Sequence, residues 1–206
     1  MNTEDAIIKI KNFLQKGVNF FGFKLVKKST TDYNDLDEMT KVLTKNSEPV
    51  IFDVGANKGQ SIKRYKKLFK NSIIHSFEPN IDEINNLKKE YNNKKEIFLN
   101  NYAVGEKEGN LEFNINAASG HSSFYDLIPN TTWVKKRSRT IKIESQDYTI
   151  KKVSADIITL DNYAEKNKIK SIDILKIDTQ GYEDKVLEGA RNLLKNNKIK
   201  LIQVEL

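Results

Sequence analysis

Residues 50–61, VIFDVGANKGQS, constrain the fold more than any other stretch. A short apolar run, Val50–Val54, carries one acid and passes through Gly55 to a second glycine, Gly59, where a helix is expected to begin. A near-continuous apolar run of that length is expected of a strand covered on both faces, which places it in a parallel sheet. A strand that ends in a glycine turn before a helix N-terminus makes a corner that receives nucleotides or anions. Gly55 and Gly59 permit close backbone approaches that side chains would obstruct. Asp53 supplies an acceptor near the strand end, and Asn57 offers both a donor and an acceptor.

The strand–helix alternation then repeats. Ser72–Phe77 is a second strand ending in Glu78, Pro79 and Asn80, and a helix follows over Ile81–Glu90 with Ile84 and Leu87 inward. Glu96–Asn101 is a third strand. After an irregular section, Ile157–Leu160 leads to a helix over Asp161–Lys166, Ile172–Ile177 to a helix over Tyr182–Leu194, and Lys200–Leu206 closes the series. This is the pattern of a mostly parallel α/β sheet. Glu78 lies 25 residues after Asp53, at the end of the next strand. A carboxylate there can meet two ribose hydroxyls. NAD, FAD and S-adenosyl nucleotides all remain open at this level.

Between the regular halves, Gly109–Asn116 and Arg139–Ile143 read as edge strands. The polar connection Ala117–Arg137 is punctuated by Phe124, Tyr125, Leu127 and Trp133 and is expected to form a lid or substrate loop, with a local aromatic cluster as the structural alternative. His121 lies within it, and an unshifted histidine titrates at ~6.5. His75, inside a strand, is expected to be a core residue.

At the N-terminus, Glu4–Gln15 and Asp32–Thr44 have helical spacing, the second with Leu36, Met39, Val42 and Leu43 inward. An apolar patch, Phe20–Val26, separates them. Residues 1–48 thus read as a helical segment packed on a domain over 49–206, whose sheet is either abbreviated or cut after its last strand. The chain has no cysteine, which excludes disulfides and thiolate chemistry. Its net charge of +7 comes largely from dispersed lysines, so no nucleic-acid surface is expected. No apolar run reaches the ~18 residues of a membrane span, and residues 1–17 lack the basic start and uninterrupted apolar core of a secretion signal, so none is expected. A cytoplasmic protein without a transmembrane segment is expected, and homo-oligomerisation is left open. The two histidines and scattered acids form no metal motif, so no metal is expected; an ion between Asp178 and Glu205 is the alternative.

Further segments add specificity: DVGANKGQS, SFEPN, NNYAVGEKEG, the Ser122-Ser123 pair, SADIITLDNY, DILKIDTQGYEDKVLEGA and IQVEL. In this order they resemble the FkbM family of S-adenosylmethionine-dependent class I methyltransferases over about residues 50–206. The first motif alone indicates only a class I methyltransferase; its combination with LKIDxxGxExxVLxGA is far more specific. The resemblance implies a Rossmann-like class I fold, with a mostly parallel central sheet flanked by helices and an inserted loop and edge-strand region. It implies S-adenosyl-L-methionine as cofactor and O-methylation of a sugar, nucleotide sugar or other small hydroxylated biosynthetic intermediate. A small-molecule N-methyltransferase and a noncatalytic cofactor-binding scaffold are the alternatives.

Carried onto this chain, the resemblance puts Asp53, Gly55, Asn57 and Gly59 around the methionine portion of the cofactor. Glu78 would accept from the ribose, Pro79 and Asn80 would shape the adenosine side, and Asn101, Tyr102 and Ala103 would lie near the adenine. Asp178 faces the reacting centre as the preferred proton acceptor, with His121 as its rival. Gln180 stands where the family commonly has an acid, so a paired carboxylate base is not expected. Glu183 is retained, with helix capping as its alternative role, and Glu205 borders the acceptor pocket. Ser122, Ser123, Tyr125 and Trp133 are candidate saccharide contacts.

Overall fold

The computed structural model describes residues 33–129 and 131–205. The expected helix over Glu4–Gln15, the Phe20–Val26 patch and the final residue Leu206 lie outside the described residues. The first described element, α1 (Tyr33–Thr44), touches the last strand, β8 (Ile199–Val204). Its buried face differs from the expected one. Thr40 and Thr44 are buried, whereas Met39, Val42 and Leu43 are exposed. The two hydroxyls donate back to the Leu36 and Thr40 carbonyls at 2.6 Å each, so burying them leaves no donor unpaired.

The main sheet is built from β1 (Val50–Val54), β2 (Ile73–Phe77), β3 (Ile97–Asn100), β7 (Ile172–Ile177) and β8, in the order β3-β2-β1-β7-β8. Every neighbouring pair is parallel. Helices α2 (Gln60–Leu68) and α3 (Ile81–Tyr91) connect its first three strands. One face buries Ile51, Ile74, Ile97 and Ile174 against Ile62, Tyr65 and Leu87. The other buries Phe52, Phe77, Leu175 and Ile177 with Leu160, Val186 and Leu193. Side chains of this size contribute about 1.5–3 kcal/mol each when fully buried, which is why strands covered on both faces are apolar throughout. Asp173 interrupts β7, but it accepts from Val50 N at 2.9 Å, Asn46 Nδ2 at 3.1 Å and Lys200 Nζ at 2.7 Å. It thereby fixes the entry to β1.

A second sheet, β4 (Ala103–Val104), β6 (Thr149–Ile158) and β5 (Gly109–Asn116), has the order β4-β6-β5, with β5 antiparallel to β6. Phe113, Ile115 and Ala155 form its own small core, with Phe124 packed against it. β6 is thus longer than the sequence suggested and ends just before α5 (Leu160–Lys166).

Arg139–Ile143 is not an edge strand. It finishes α4 (Thr132–Ile141), which starts where the Thr131 hydroxyl accepts from Val134 N at 3.3 Å and ends at left-handed Lys142. Burial of Val134 and Ser138, four residues apart, overrides the local alternation of apolar and basic residues. The expected helix over Tyr182–Leu194 is likewise two short helices, α6 (Glu183–Glu188) and α7 (Arg191–Lys195). The Asp161 carboxylate accepts from Asn192 N and Leu193 N at 2.8 and 2.9 Å, capping the second one and stabilising the break.

Candidate active site

The strand order reverses between β1 and β7, the place where open parallel sheets leave a crevice at their C-terminal ends. An open cavity of about 550 Å³ lies there. Gly55 and Asn57 reach its wall from β1, Glu78 and Pro79 from β2, and Tyr102 and Ala103 from the chain after β3. Asp178 and Gln180 come from the end of β7, and Ser119, Gly120 and Ser122 from the segment after β5. Phe77, Phe113, Phe124 and Tyr182 supply the apolar part of the lining. Segments far apart in sequence converge because each follows a strand of one of the two sheets.

The glycine turn is closed on itself. Gly55 N and Ala56 N both donate to the Phe77 carbonyl at 3.0 and 3.1 Å, and Gly59 N donates to the Ala56 carbonyl at 2.8 Å. Asn57 N donates to Glu78 Oε2 at 2.8 Å. These four amides are therefore not available to cradle a phosphate, as a dinucleotide-binding turn requires. Gly59 occupies a left-handed conformation, φ +78°, and a Cβ there would lie 2.7 Å from Leu87 Cδ2. It serves the joint between turn and helix and stands off the cavity wall.

Glu78 is buried, and each carboxylate oxygen accepts one backbone N–H, Oε2 from Asn57 and Oε1 from Asn80 at 2.9 Å. Burial pushes its carboxyl up to about 7, against the opposing pull of those two bonds. Each oxygen retains acceptor capacity, and Glu78 lines the cavity. Asn80 itself caps α3, its side chain accepting from Asp82 N at 3.1 Å. Asn101 donates to the Glu78 and Pro79 carbonyls at 3.0 and 2.9 Å, bracing the wall from outside it.

Asp53 is fully buried beneath the turn. Lys176 Nζ lies 3.4 Å from its Oδ1, 3.4 Å from Asp178 Oδ2 and 3.1 Å from the Gly55 carbonyl. Gln180, in a left-handed conformation with φ +56°, donates from Nε2 to Asp178 Oδ1 at 2.7 Å. Both Asp178 oxygens are thus oriented by donors. Glu183 accepts from Thr179 N, Thr179 Oγ1 and Gly181 N, so its carboxylate organises the turn after β7.

Residues 117–125 roof the cavity. Ser119 Oγ donates to Asn57 Oδ1 at 2.9 Å, and Ser123 Oγ donates to the Gln180 carbonyl at 2.9 Å. Ser123 therefore ties the roof down instead of lining the cavity. Tyr125 is exposed and packs against Gly181 and Tyr182. His121 turns away from the lining: its Nδ1 lies 2.6 Å from the Tyr148 hydroxyl, and its ring packs at 5.0 Å on Trp133. Burial lowers its pKa, Arg137 adds to that, and Asp178 opposes both. Trp133 is partly exposed and carries Arg137 over its ring at 5.7 Å. Glu205 is exposed just past β8, its N–H donating to the Ile177 carbonyl at 3.0 Å. His75 stacks on Phe98 and bonds Tyr163 within the core, and burial lowers its pKa to about 4.

Lys176, Ser119, Phe113 and Tyr182 were not singled out as site residues from the sequence, and Phe124 only as part of the expected lid. A lysine in a strand that is otherwise apolar but for Asp173 was the available signal for Lys176. Ser119 belongs to a section without periodicity, whereas Phe113 lies in the expected edge strand and Tyr182 opens the expected helix. Among the described residues no group of three or more His, Cys, Asp or Glu side chains could hold a metal ion, and no helix is long and apolar enough to cross a membrane.

A largely parallel α/β sheet thus sets a buried carboxylate in the wall of a cavity, beside a turn four of whose amides are bonded within the protein. Residues 53–206 match the family model described as the methyltransferase FkbM domain, and the chain belongs to that family of S-adenosyl-L-methionine-dependent methyltransferases. It is 23% identical over 169 residues to a protein named 2-O-methyltransferase NoeI from Sinorhizobium fredii (strain NBRC 101917 / NGR234), covering 82% of this chain and 68% of the relative. A crystal structure of methyltransferase FkbM from Methylobacillus flagellatus KT superposes with a TM-score of 0.49 at 16% identity, covering 76% of this chain. The matched region spans only 32% of that solved chain.

Proposed function

We propose that this chain methylates a hydroxyl of a saccharide, nucleotide sugar or similar small hydroxylated intermediate, using a Rossmann-like class I methyltransferase fold. The observation that carries the reading is Glu78: a buried carboxylate at the end of β2, held by two backbone amides, in the lining of the cavity and with acceptor capacity left over. The parallel order with its reversal at β1, the closed glycine turn, the family membership and the relative named as a 2-O-methyltransferase all support it. The domain would occupy residues 49–206, with residues 1–48 as an attached segment. A cytoplasmic location, where nucleotide-sugar precursors are available, goes with this reading.

In this reading S-adenosyl-L-methionine, when bound, supplies a methyl carbon made electrophilic by its sulfonium. Glu78 accepts from the ribose hydroxyls, Pro79, Tyr102 and Ala103 flank the adenosine, and Gly55 with Asn57 borders the methionine portion. Asp178, oriented by Gln180 and Lys176, takes up the proton from the acceptor hydroxyl as it attacks. The enzyme's main task is alignment of the attacking oxygen in a cavity from which the aromatic side chains exclude water. Ser122, Gly120 and Phe124 of the roof meet the acceptor.

A mass-shift screen of nucleotide sugars, oligosaccharides and small hydroxylated metabolites, with and without donor, tests catalysis and acceptor class together. Donor-dependent gain of one methyl group is expected. Calorimetry should show binding of S-adenosyl-L-methionine, and a folded protein that does not bind it sinks the proposal.

A further inference from the structure

Lys176 is a charged side chain that bridges the two loops meeting at the switch point. It is 8% exposed and reaches the Gly55 carbonyl at 3.1 Å, Asp53 at 3.4 Å and Asp178 at 3.4 Å. Asp53 is wholly buried, and neither of its oxygens accepts a well-formed hydrogen bond, so the Lys176 ammonium is its principal compensation. An isolated buried carboxylate is costly enough to take up a proton instead. We propose that Lys176 is a positioning residue of the site: its ammonium ties the Gly55 carbonyl to Asp178 and balances Asp53 beneath them, leaving these three side chains with one net negative charge.

The charge states agree with this geometry. Burial pulls the lysine down, and Asp53 and Asp178 more than reverse that pull, leaving it above its ordinary value. Burial pushes Asp53 up, and Lys176 pulls it back in part, with Ser61 acting in the same sense. The Asp178 charge raises Asp53 further, and Asp53 in turn acts on Tyr65 of α2, Tyr91 of α3 and Glu78 after β2; His121 feels Asp178. None of these is a cation that could replace Lys176. The inference rests on the proposed donor site for its functional meaning, although its charge component can be measured without donor.

Thermal unfolding from pH 5.5 to 8.5 of wild type, K176M and D53N/K176M, together with calorimetric titration of S-adenosyl-L-methionine, tests the assignment. Without its counter-ion, Asp53 binds a proton in the folded state that it gives up as pH rises. A carboxyl raised by folding stabilises less as pH climbs toward its folded pKa. The Tm gap between wild type and K176M should therefore widen with pH, while the gap for D53N/K176M stays flat. K176M should also bind donor at least about tenfold more weakly at pH 8, as loss of a hydrogen bond from a charged donor predicts. A K176M protein that fails to fold while D53N/K176M folds gives the same support.

A pH-independent gap for K176M, or a double variant no flatter than the single one, overturns the charge role. So does failure of both variants to fold. Unchanged donor affinity in a folded K176M overturns the positioning role. If wild type folds without binding donor, the proposed function fails, but the unfolding comparison still decides the charge role of Lys176.

Discussion

Gly55 and Asp178 approach so closely that a Cβ on Gly55 would lie 1.9 Å from the Asp178 carbonyl oxygen. The contact continues the seam between β1 and β7, where Asp178 N donates to the Val54 carbonyl at 3.0 Å. Gly55 also has a φ of +82°, so both the space and the backbone conformation require glycine. Gly55→Ala must push the two loops apart. A cost of at least about 2–3 kcal/mol is expected, together with loss of donor binding. Chemical unfolding and calorimetry read the two effects; a variant with wild-type stability and affinity would contradict the contact.

The proposed role of Glu78 predicts a donor affinity that depends on pH. Its carboxyl is raised to about 7, so without ligand the folded state binds a proton more tightly than the unfolded chain. Its stabilising effect is therefore present at low pH and is lost as pH rises from the ordinary carboxylate value toward about 7. The ionised form is the better acceptor for two ribose hydroxyls, so affinity for S-adenosyl-L-methionine should rise between pH 6 and 8. Glu78→Gln should flatten this profile and weaken binding about 10–100-fold. An equally steep profile in E78Q would assign the titration to another group.

Asp178→Asn separates donor binding from proton transfer. The amide keeps the shape and one acceptor oxygen beside Gln180 Nε2, which now lies 2.7 Å from Oδ1. Donor affinity should stay within about threefold, and single-turnover methyl transfer should fall about 10²–10⁴-fold. Transfer at the wild-type rate across the pH range would remove Asp178 from the proton's path.

His121→Phe tests the rival assignment. The ring position between Trp133 and Tyr148 can be filled by phenylalanine, while the contact between Nδ1 and the Tyr148 hydroxyl is lost. Stability should drop by about 1 kcal/mol and transfer should be nearly unchanged. A drop in transfer comparable to that of D178N, without loss of fold, would make His121 the proton acceptor.

The parallel sheet was legible because covered strands are written as apolar runs. Ile51 and Phe52, or Ile174 and Leu175, serve opposite faces of the same layer, so both must be apolar. Glu78 was legible as a candidate because it stands where a strand ends. The second sheet's surroundings were not. Arg139–Ile143 alternates like a strand, yet it closes a helix whose start depends on the Thr131 cap and whose inner face is Val134 and Ser138. The break between α6 and α7 depends on Asp161, thirty-one residues before Asn192. Neither local periodicity nor propensity contains such long-range partners. His121 and Trp133 could be proposed for the site from composition alone, but only packing shows them meeting each other and Tyr148.

The roof over residues 117–125 is held from below by two side-chain bonds, Ser119 to Asn57 and Ser123 to the Gln180 carbonyl. Most of the floor comes from the ends of the parallel strands, where Gly55, Glu78 and Asp178 are locked by neighbouring backbone. If the proposed roles hold, the two substrates answer to different parts of the molecule. Descent with modification can then exchange acceptors by rewriting Gly120, Ser122 and Phe124, while the donor seat is inherited intact.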